Sequence, residues 1–322
     1  MKKLFVIANW MQGNGLSGGD RIFIELVKRW QLQLDITLFL SKEGSAICQR
    51  HELGNINQRV WASNFFSRWG YLVDILYRTL NSIINAFSVK TVAGDIIFSS
   101  SDFWPDSFPA LILKKINPKI TWIAGFYLFA PKPWQKNSPY YGKNFLTGFL
   151  YWIGQLPTYY IIRKYADIVF VTSQPDVDRF ITPIRSKESV IVIRGGVDTI
   201  LSKNYLNSNN FIPPDKRIYD ACFVGRFHYQ KGVLELIKIW KLVCLKNPQA
   251  HLAMIGSGPL DKEVKNLIKK TGLSKNIYLG GFLDGPKKFE IFKQSRIVVH
   301  PATFDSGGMA AAEAMAWGLP GV

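Results

Sequence analysis

The chain reads as an α/β protein of two domains, and three observations predict it. Its 322 residues exceed a single ordinary core, and 48% of them are apolar, enough to fill two. Short apolar runs that read as buried strands alternate with segments whose apolar residues recur at helical spacing. One polar stretch, SKNYLNSNNFIPPDKR at residues 202–217, interrupts the alternation. We therefore expect a first domain over 1–205 and a second over 206–322.

KLFVIA (3–8) is a continuous apolar run, as in a strand buried on both faces. The Gly-rich NWMQGNGLSGGD follows, then a helical pattern from Asp20 through IFIELVKRW. Residues 35–40, 95–99, 120–124, 167–172 and 189–194 read as the later strands of the first domain, and the pattern restarts at YDACFVG, AHLAMIG, NIYLGG and RIVVHP. Gly13-x-Gly15-x-x-Gly18 is a weak match to a dinucleotide fingerprint. It lies several residues past the first strand, and DITLFL is followed by Ser41-Lys42 instead of the acidic residue such a site needs.

FVGRFHYQKG (223–232) is the most informative stretch. A strand ends at Gly225-Arg226, and five residues after Arg226, Lys231-Gly232 opens the helical run GVLELIKIWKLV. An Arg fork, a Lys ammonium and the N–H groups of a helix start suit a diphosphate; taken alone, the same pattern fits any basic βα loop. A second motif, HPATFDSGGMAAAEAMAWGLPGV, closes the chain. Here 297–299 read as a strand, Pro301 and Ser306-Gly307-Gly308 as a loop, and 309–317 as a helix. Asp305 falls at the helix start and Glu313 about one turn in, with the N–H groups of Gly308 and Met309 between them. Carboxylates accept hydrogen bonds from sugar hydroxyls, and glycines let a ligand approach the backbone, so the arrangement fits a polyol beside a phosphate.

Gly-Arg-x4-Lys-Gly followed by acidic-x7-Glu, after an α/β half, resembles the C-terminal domain of the retaining glycosyltransferases of family 4. The resemblance covers nearly the whole chain and implies the GT-B fold: two Rossmann-like domains facing across a cleft, the donor held mainly by the second. It implies a UDP- or GDP-sugar donor, no cofactor and no metal. Arg226 and Lys231, with Gly225, would bind the diphosphate. Asp305 would hold donor-sugar hydroxyls with the backbone of Gly307, Gly308 and Met309, and Glu313 the ribose. Gly18 and Gly19 correspond to the family's Gly-Gly loop near the donor phosphates, and Gly256 to its second phosphate-side loop. In this family the transfer is described as front-face, the leaving diphosphate taking the acceptor proton, so catalysis would rest on Arg226, Lys231 and Asp305.

The chain departs from the family pattern in places. Asp305 is followed by Ser-Gly-Gly where the family has Glu then Gly-Phe-Gly, Asp261 stands where a third glycine would, and TWIAGFYLFAPKPW lacks the His many members carry there. Tyr127 in that segment and Asp102 in SSSDFWPDSFPA are the acceptor-side candidates; Asp102 and Asp106 are equally readable as helix-cap or turn residues. After GLPGV the fold calls for another strand, a helix and a tail helix, so the second domain is expected to be truncated at its C-terminus. The implied function is transfer of a sugar to a glycan or lipid-linked acceptor in cell-surface polysaccharide or glycolipid synthesis. The alternative is a nucleotide-sugar-binding protein without turnover.

Forty basic against 23 acidic residues give a net charge of +17. No zinc, homeodomain or RNP-type motif accompanies it, and KNLIKK and GPKKF read as ordinary amphipathic runs, so nucleic acid is not the expected partner. An anionic membrane surface is. Leu72, Leu76, Leu80, Ile83, Ile84 and Phe87 share one helical face, preceded by Trp61, Phe65, Phe66, Trp69 and Tyr71 with Arg68 among them. The alternative is that this face packs on the first domain's sheet. FLTGFLYWIGQLPTYYII (145–162) is broken by Gly148, Gly154, Gln155 and Pro157, which argues for a buried helix or acceptor-side loop instead of a span. Cys48, Cys222 and Cys244 show no metal spacing, and no signal peptide precedes the first strand, so the expected location is the cytoplasm, at the inner face of the membrane. His300, at a strand end, and His228, inside the phosphate loop, lie nearest the expected cleft, and both read as packed or solvated.

Overall fold

The computed structural model describes residues 2–13, 16–63, 65–302, 304–305 and 307–322, with every side chain there except that of Lys143. Of the positions singled out above, Gly15 and Ser306 lie outside the described residues. The chain forms two compact units, Met1–Ala130 with Phe149–Gly195, and Pro131–Gly148 with Gly196–Val322.

In chain order the elements up to the end of the first unit are β1 (Lys3–Ala8), α1 (Gly18–Trp30), β2 (Asp35–Ser41), α2 (Lys42–Arg50), β3 (Asn57–Ala62), α3 (Tyr71–Ala86), β4 (Ile96–Ser99), α4 (Trp104–Ile116), β5 (Thr121–Gly125), α5 (Phe145–Tyr165), β6 (Ile168–Val171) and β7 (Val190–Val192). They build a parallel sheet of order β3-β2-β1-β4-β5-β6-β7. Period-two alternation along β1 sends Phe5 and Ile7 to one core and Leu4, Val6 and Ala8 to the other, which explains why its sequence is apolar throughout. Ser17 starts α1 with a reciprocal capping box. Its hydroxyl accepts from the Asp20 N–H at 3.1 Å, and the Asp20 carboxylate accepts from the Ser17 N–H at 2.9 Å.

The edge strand β3 is absent from the strands expected above. Its sequence NQRVWA exposes Arg59 and Val60, and only Trp61 and Ala62 are buried, so it carries no continuous apolar signal. Trp61 stacks on Phe39 with centroids 4.0 Å apart, which makes it core and removes it from the surface segment in which the sequence placed it. The alternative for α3, that its apolar face packs on the sheet, also fails: the buried face holds Asp74, Ile75, Arg78, Thr79, Ser82 and Ala86. Among the described residues no helix is long and apolar enough to cross a membrane.

The second unit contains α6 (Ile200–Leu206), β8 (Tyr219–Val224), α7 (Val233–Lys246), β9 (Leu252–Ile255), α8 (Asp261–Thr271), β10 (Ile277–Gly281), α9 (Pro286–Lys293), β11 (Ser295–Val298) and α10 (Met309–Ala316). The division at 195/196 lies upstream of 205/206 because α6 joins this unit, with Tyr205 buried against Trp317 at 5.6 Å. The sheet is parallel, in the order β10-β9-β8-β11. The chain winds outward from β8 through β9 to β10 and then returns to the far side of β8, so the winding direction reverses between β8 and β11. At such a reversal the loops leaving the two strands diverge and open a crevice at their C-terminal ends. Residues 320–322 continue beside β11, where the Val298 N–H donates to Pro320 O and the Val322 N–H to Val298 O, each at 2.9 Å.

Candidate functional site

The crevice of the second unit collects both sequence motifs. Gly225 and Arg226 leave β8, and Lys231 ends a short 3-10 turn whose last residue abuts Gly232, the N-cap of α7. From β11 come His300, Pro301 and Asp305, then Gly307 and Gly308, with Gly308 the N-cap of α10, Met309 its first residue and Glu313 one turn in. Both helix starts are capped by glycine with no side-chain acceptor, whereas Ser17 and Ser41 cap α1 and α2 with their hydroxyls. Being glycine, neither N-cap gives the first-turn N–H groups of α7 and α10 a side-chain acceptor.

Two glycines are required by close approach. Gly232 has φ +62°, and a Cβ there would lie 2.5 Å from Pro301 O, so the loops after β8 and β11 touch at this point. Gly256, at φ +146°, would place a Cβ 1.9 Å from Gly225 O, which brings the loop after β9 directly against the Gly225-Arg226 turn. Among the described residues no atom lies within 4 Å of a Cβ added at Gly307, so none of them crowds that backbone.

The charges converge on Asp305. Lys231 Nζ lies 2.5 Å from Asp305 Oδ2, and His300 Nε2 lies 3.2 Å from the same oxygen. Burial would raise the Asp305 carboxyl, but the His300 hydrogen bond and the Lys231 ammonium outweigh it and hold the group well below the usual carboxylate range. Arg226 is exposed and forms no ion pair with any described residue. His228, between the two cations, is pushed down to about 4 by burial first and then by Arg226 and Lys231. It is neutral at pH 7. Glu313 is buried and pairs with Lys288 Nζ at 2.8 Å, and Lys288 also reaches Asp284 at 3.1 Å.

Sequence reasoning assigned no role to two of these groups. Lys288 belongs to GPKKF, read above as an ordinary amphipathic run, and only the fold brings α9 beside α10. His300, whose place at a strand end puts it near the expected cleft, reads as packed or solvated, yet it sits on Asp305. Among the described residues no cluster of three or more His, Cys, Asp or Glu is arranged to hold a metal ion.

The remaining candidates lie in the first unit. Gly18 and Gly19 open α1, and a Cβ on Gly19 would stand 2.8 Å from Cδ2 of Tyr127. Packing against that ring already accounts for the second glycine. Tyr127 is 7% exposed, and its hydroxyl has no hydrogen-bond partner among the described residues. Asp102 is buried, accepts from Gln155 Nε2 at 2.8 Å, and is pushed up to about 6 by burial. It does not cap α4, whose N-cap is Phe103. Asp106 instead clamps the loop after β1, accepting from the Asn9 N–H at 2.6 Å, the Trp10 N–H at 3.1 Å and the Ser101 hydroxyl. Asp102 also borders a small pocket with Tyr71, Ile75, Phe103, Trp104, Tyr151, Gly154 and Gln155.

Known proteins resemble this chain in sequence and in fold. Residues 207–322 match the family model "Glycosyl transferases group 1". An uncharacterized glycosyltransferase of Methanocaldococcus jannaschii is 30% identical over 216 residues, covering 66% of this chain and 50% of that protein. The poly(glycerol-phosphate) alpha-glucosyltransferase of Bacillus subtilis is 26% identical over 154 residues, 48% of this chain and 22% of that protein. The chain thus spans half or less of the length of these relatives. Among solved structures, Anabaena HepE in complex with UDP and glucose superposes with a TM-score of 0.66 at 18% identity, over 100% of this chain and 80% of that one. Staphylococcus aureus TarM gives 0.66 at 12% identity, over 100% and 84%. The fold is therefore that of the GT-B glycosyltransferases, and the unit carrying the Arg226, Lys231 and Asp305 crevice is the one matched by the group 1 family.

Proposed function

We propose that this chain is a retaining glycosyltransferase of family 4 that moves a sugar from a UDP- or GDP-sugar to a glycan or lipid-linked acceptor, without a metal. The observation that carries this reading is the convergence of Lys231 and Asp305 between two glycine-capped helix starts at the switch point of the second sheet. In the free protein the cation and the carboxylate hold each other. A bound donor exchanges that contact for two: the diphosphate meets Lys231, Arg226 and the α7 N-terminus, and the sugar hydroxyls meet Asp305 and the backbone of Gly307, Gly308 and Met309. Gly225 and Gly256 keep the phosphate side narrow, Gly18 and Gly19 act as a donor-side loop of the first unit, and Glu313 accepts from the ribose. Asp102 and Tyr127 remain the acceptor-side candidates.

As the bond from sugar to phosphate weakens, negative charge accumulates on the diphosphate, and Arg226, Lys231 and the helix N–H groups stabilise it more than they stabilise the bound donor. The leaving diphosphate takes the acceptor proton on the face the acceptor enters, so this step asks no side-chain base of the chain. Arg226→Ala and Lys231→Ala should each lower kcat about 10²-fold or more, the scale of deleting one preorganised electrostatic donor. Donor-dependent release of nucleoside diphosphate measures it. Wild-type turnover in both variants would overturn the assignment. Tight donor binding by the wild type without release, across a panel of sugar and lipid acceptors, would support a binding protein instead.

A further inference from the structure

Helix α3 is folded with its polar side inward. Its buried face carries Asp74, Arg78, Thr79 and Ser82, while Leu72, Leu76, Leu80 and Ile84 are each 49 to 67% exposed. These four residues recur at intervals of four and form a stripe about 18 Å long at 1.5 Å per residue. Val73 and Phe87 flank it, also exposed. The orientation is dictated from within. Arg78 pairs with Asp74 at 3.1 Å and Glu43 at 2.9 Å and donates to Asn9 O at 3.2 Å, while Gln12 Nε2 donates to Asp74 at 2.8 Å. Turning the leucines inward would strip these groups of their partners.

The rim of the stripe has a definite chemistry. Phe65, Trp69 and Tyr71 are exposed at its N-terminal end, and Phe66 holds their loop to the helix through Tyr77 at 4.6 Å. Arg68 stands 5.0 Å from the Phe65 ring and 6.0 Å from the Trp69 ring. Between residues 65 and 90 the sequence has four ionisable charges, Arg68, Asp74, Arg78 and Lys90. Asp74 and Arg78 neutralise each other inside, so the charge this surface shows is that of exposed Arg68 and Lys90, one at each end and both positive. Helix α7 offers a contrast. It exposes Ile239, Leu242 and Leu245 too, but exposed Lys238, Lys241 and Lys246 break the apolar surface between them.

We propose that the outward face of α3, with residues 65–71, docks on an anionic lipid bilayer. Uncharged leucines enter the acyl boundary, Trp69 and Tyr71 sit at headgroup level, and Arg68 and Lys90 meet the lipid phosphates. This goes beyond the transferase reading and does not depend on it. Flotation of the full chain with phosphatidylcholine vesicles, with and without phosphatidylglycerol, tests it. We expect flotation with the anionic vesicles at low salt and its loss at high salt. Arg68→Glu should weaken partitioning roughly fivefold or more, by the usual contribution of one cation at such a surface. Leu76→Asp with Leu80→Asp, both at exposed positions that leave the buried cluster intact, should abolish it. Circular dichroism and nucleotide binding of the variants confirm that the fold is kept. A wild type that stays in the soluble fraction at low salt overturns the proposal. So does a concentration-dependent dimer that the two aspartates dissolve, because the face then belongs to a second copy of the chain.

Discussion

Arg78 and Lys231 each stand against acidic side chains, and the difference between their surroundings separates architecture from site. Arg78 is 1% exposed, its partners Asp74 and Glu43 are 2% and 15% exposed, and its guanidinium also donates to the backbone oxygens of Asn9 and Met11. Lys231 is 25% exposed, and Asp305 and His300 are 19% and 24%. In the first cluster the fork is surrounded by protein acceptors, and removing one member strands a charge in the interior. In the second, each group is only partly covered. Such a pair can trade its internal contact for a ligand at small cost to the fold, whereas the buried cluster can only hold a helix in place.

The largest expected effect tests that distinction directly. Arg78→Met should cost about 3–5 kcal/mol of stability, because Asp74 and Glu43 are left buried without their cation. Lys231→Met should cost less, about 1–2 kcal/mol, since its pair is partly open to solvent and Asp305 keeps His300 as a partner. Urea unfolding of the two variants reads both numbers. Similar losses would erase the comparison and with it the argument that the Arg78 cluster fixes the orientation of α3.

Glu313 lies between these extremes, since its pair with Lys288 is 10% exposed on both sides yet belongs to the helix that begins at Gly308. Glu313→Gln should weaken nucleoside diphosphate and nucleotide sugar alike, by roughly tenfold for one charge-assisted hydrogen bond, while Asp305→Asn should weaken only the sugar-bearing donor. Calorimetric titration of both ligands against both variants decides it. Equal losses of nucleoside diphosphate affinity would show that the two carboxylates have been given the wrong roles.

What could be read in the sequence follows the same physical line. Strands buried on both faces, such as β1 and β2, announce themselves as apolar runs, and the 3.6-residue period of α3 showed that one side is apolar. Periodicity does not say which side meets the protein. That was settled by Asn9, Met11, Gln12 and Glu43, partners 35 or more residues away from the Arg78 and Asp74 side chains they meet. The edge strand β3 gave no pattern because half of it faces water. In the second unit, Arg226, Lys231 and Asp305 stood out because glycines and a helix start surrounded them in sequence. Lys288 had no such setting, and its pairing with Glu313, 25 positions on, exists only because the sheet places α9 near α10.

The smallest expected effect is a dependence on pH, and it sharpens the picture of a half-open cluster. Burial, Arg226 and Lys231 hold the free His228 at about 4, below its ordinary 6.5. Below pH 6.5 the unfolded chain therefore binds more protons at this position than the folded one, and His228 withdraws stability as the pH falls from 6.5 to about 4. A diphosphate seated on Arg226 and Lys231 offsets the charge part of that depression, while burial, the larger cause, remains, so His228 rises only part of the way toward its ordinary value. Binding then favours the protonated imidazole, so affinity for a nucleotide sugar should grow as the pH is lowered from 7 toward 4, by less than about tenfold for each unit of rise. Asp305, held low by His300 and Lys231, stays ionised over that window, and the two phosphates of a nucleotide sugar are diesters that do not titrate there. Asp102, pushed up to about 6 by burial, also titrates in that window, so the His228 variant is what assigns the proton. Titration calorimetry in buffers of different ionisation enthalpy counts it, and His228→Asn should flatten the profile while leaving affinity at pH 7 within about threefold. A wild-type profile that is already flat would place the diphosphate away from His228, and the Arg226-Lys231 turn would lose its claim to the donor.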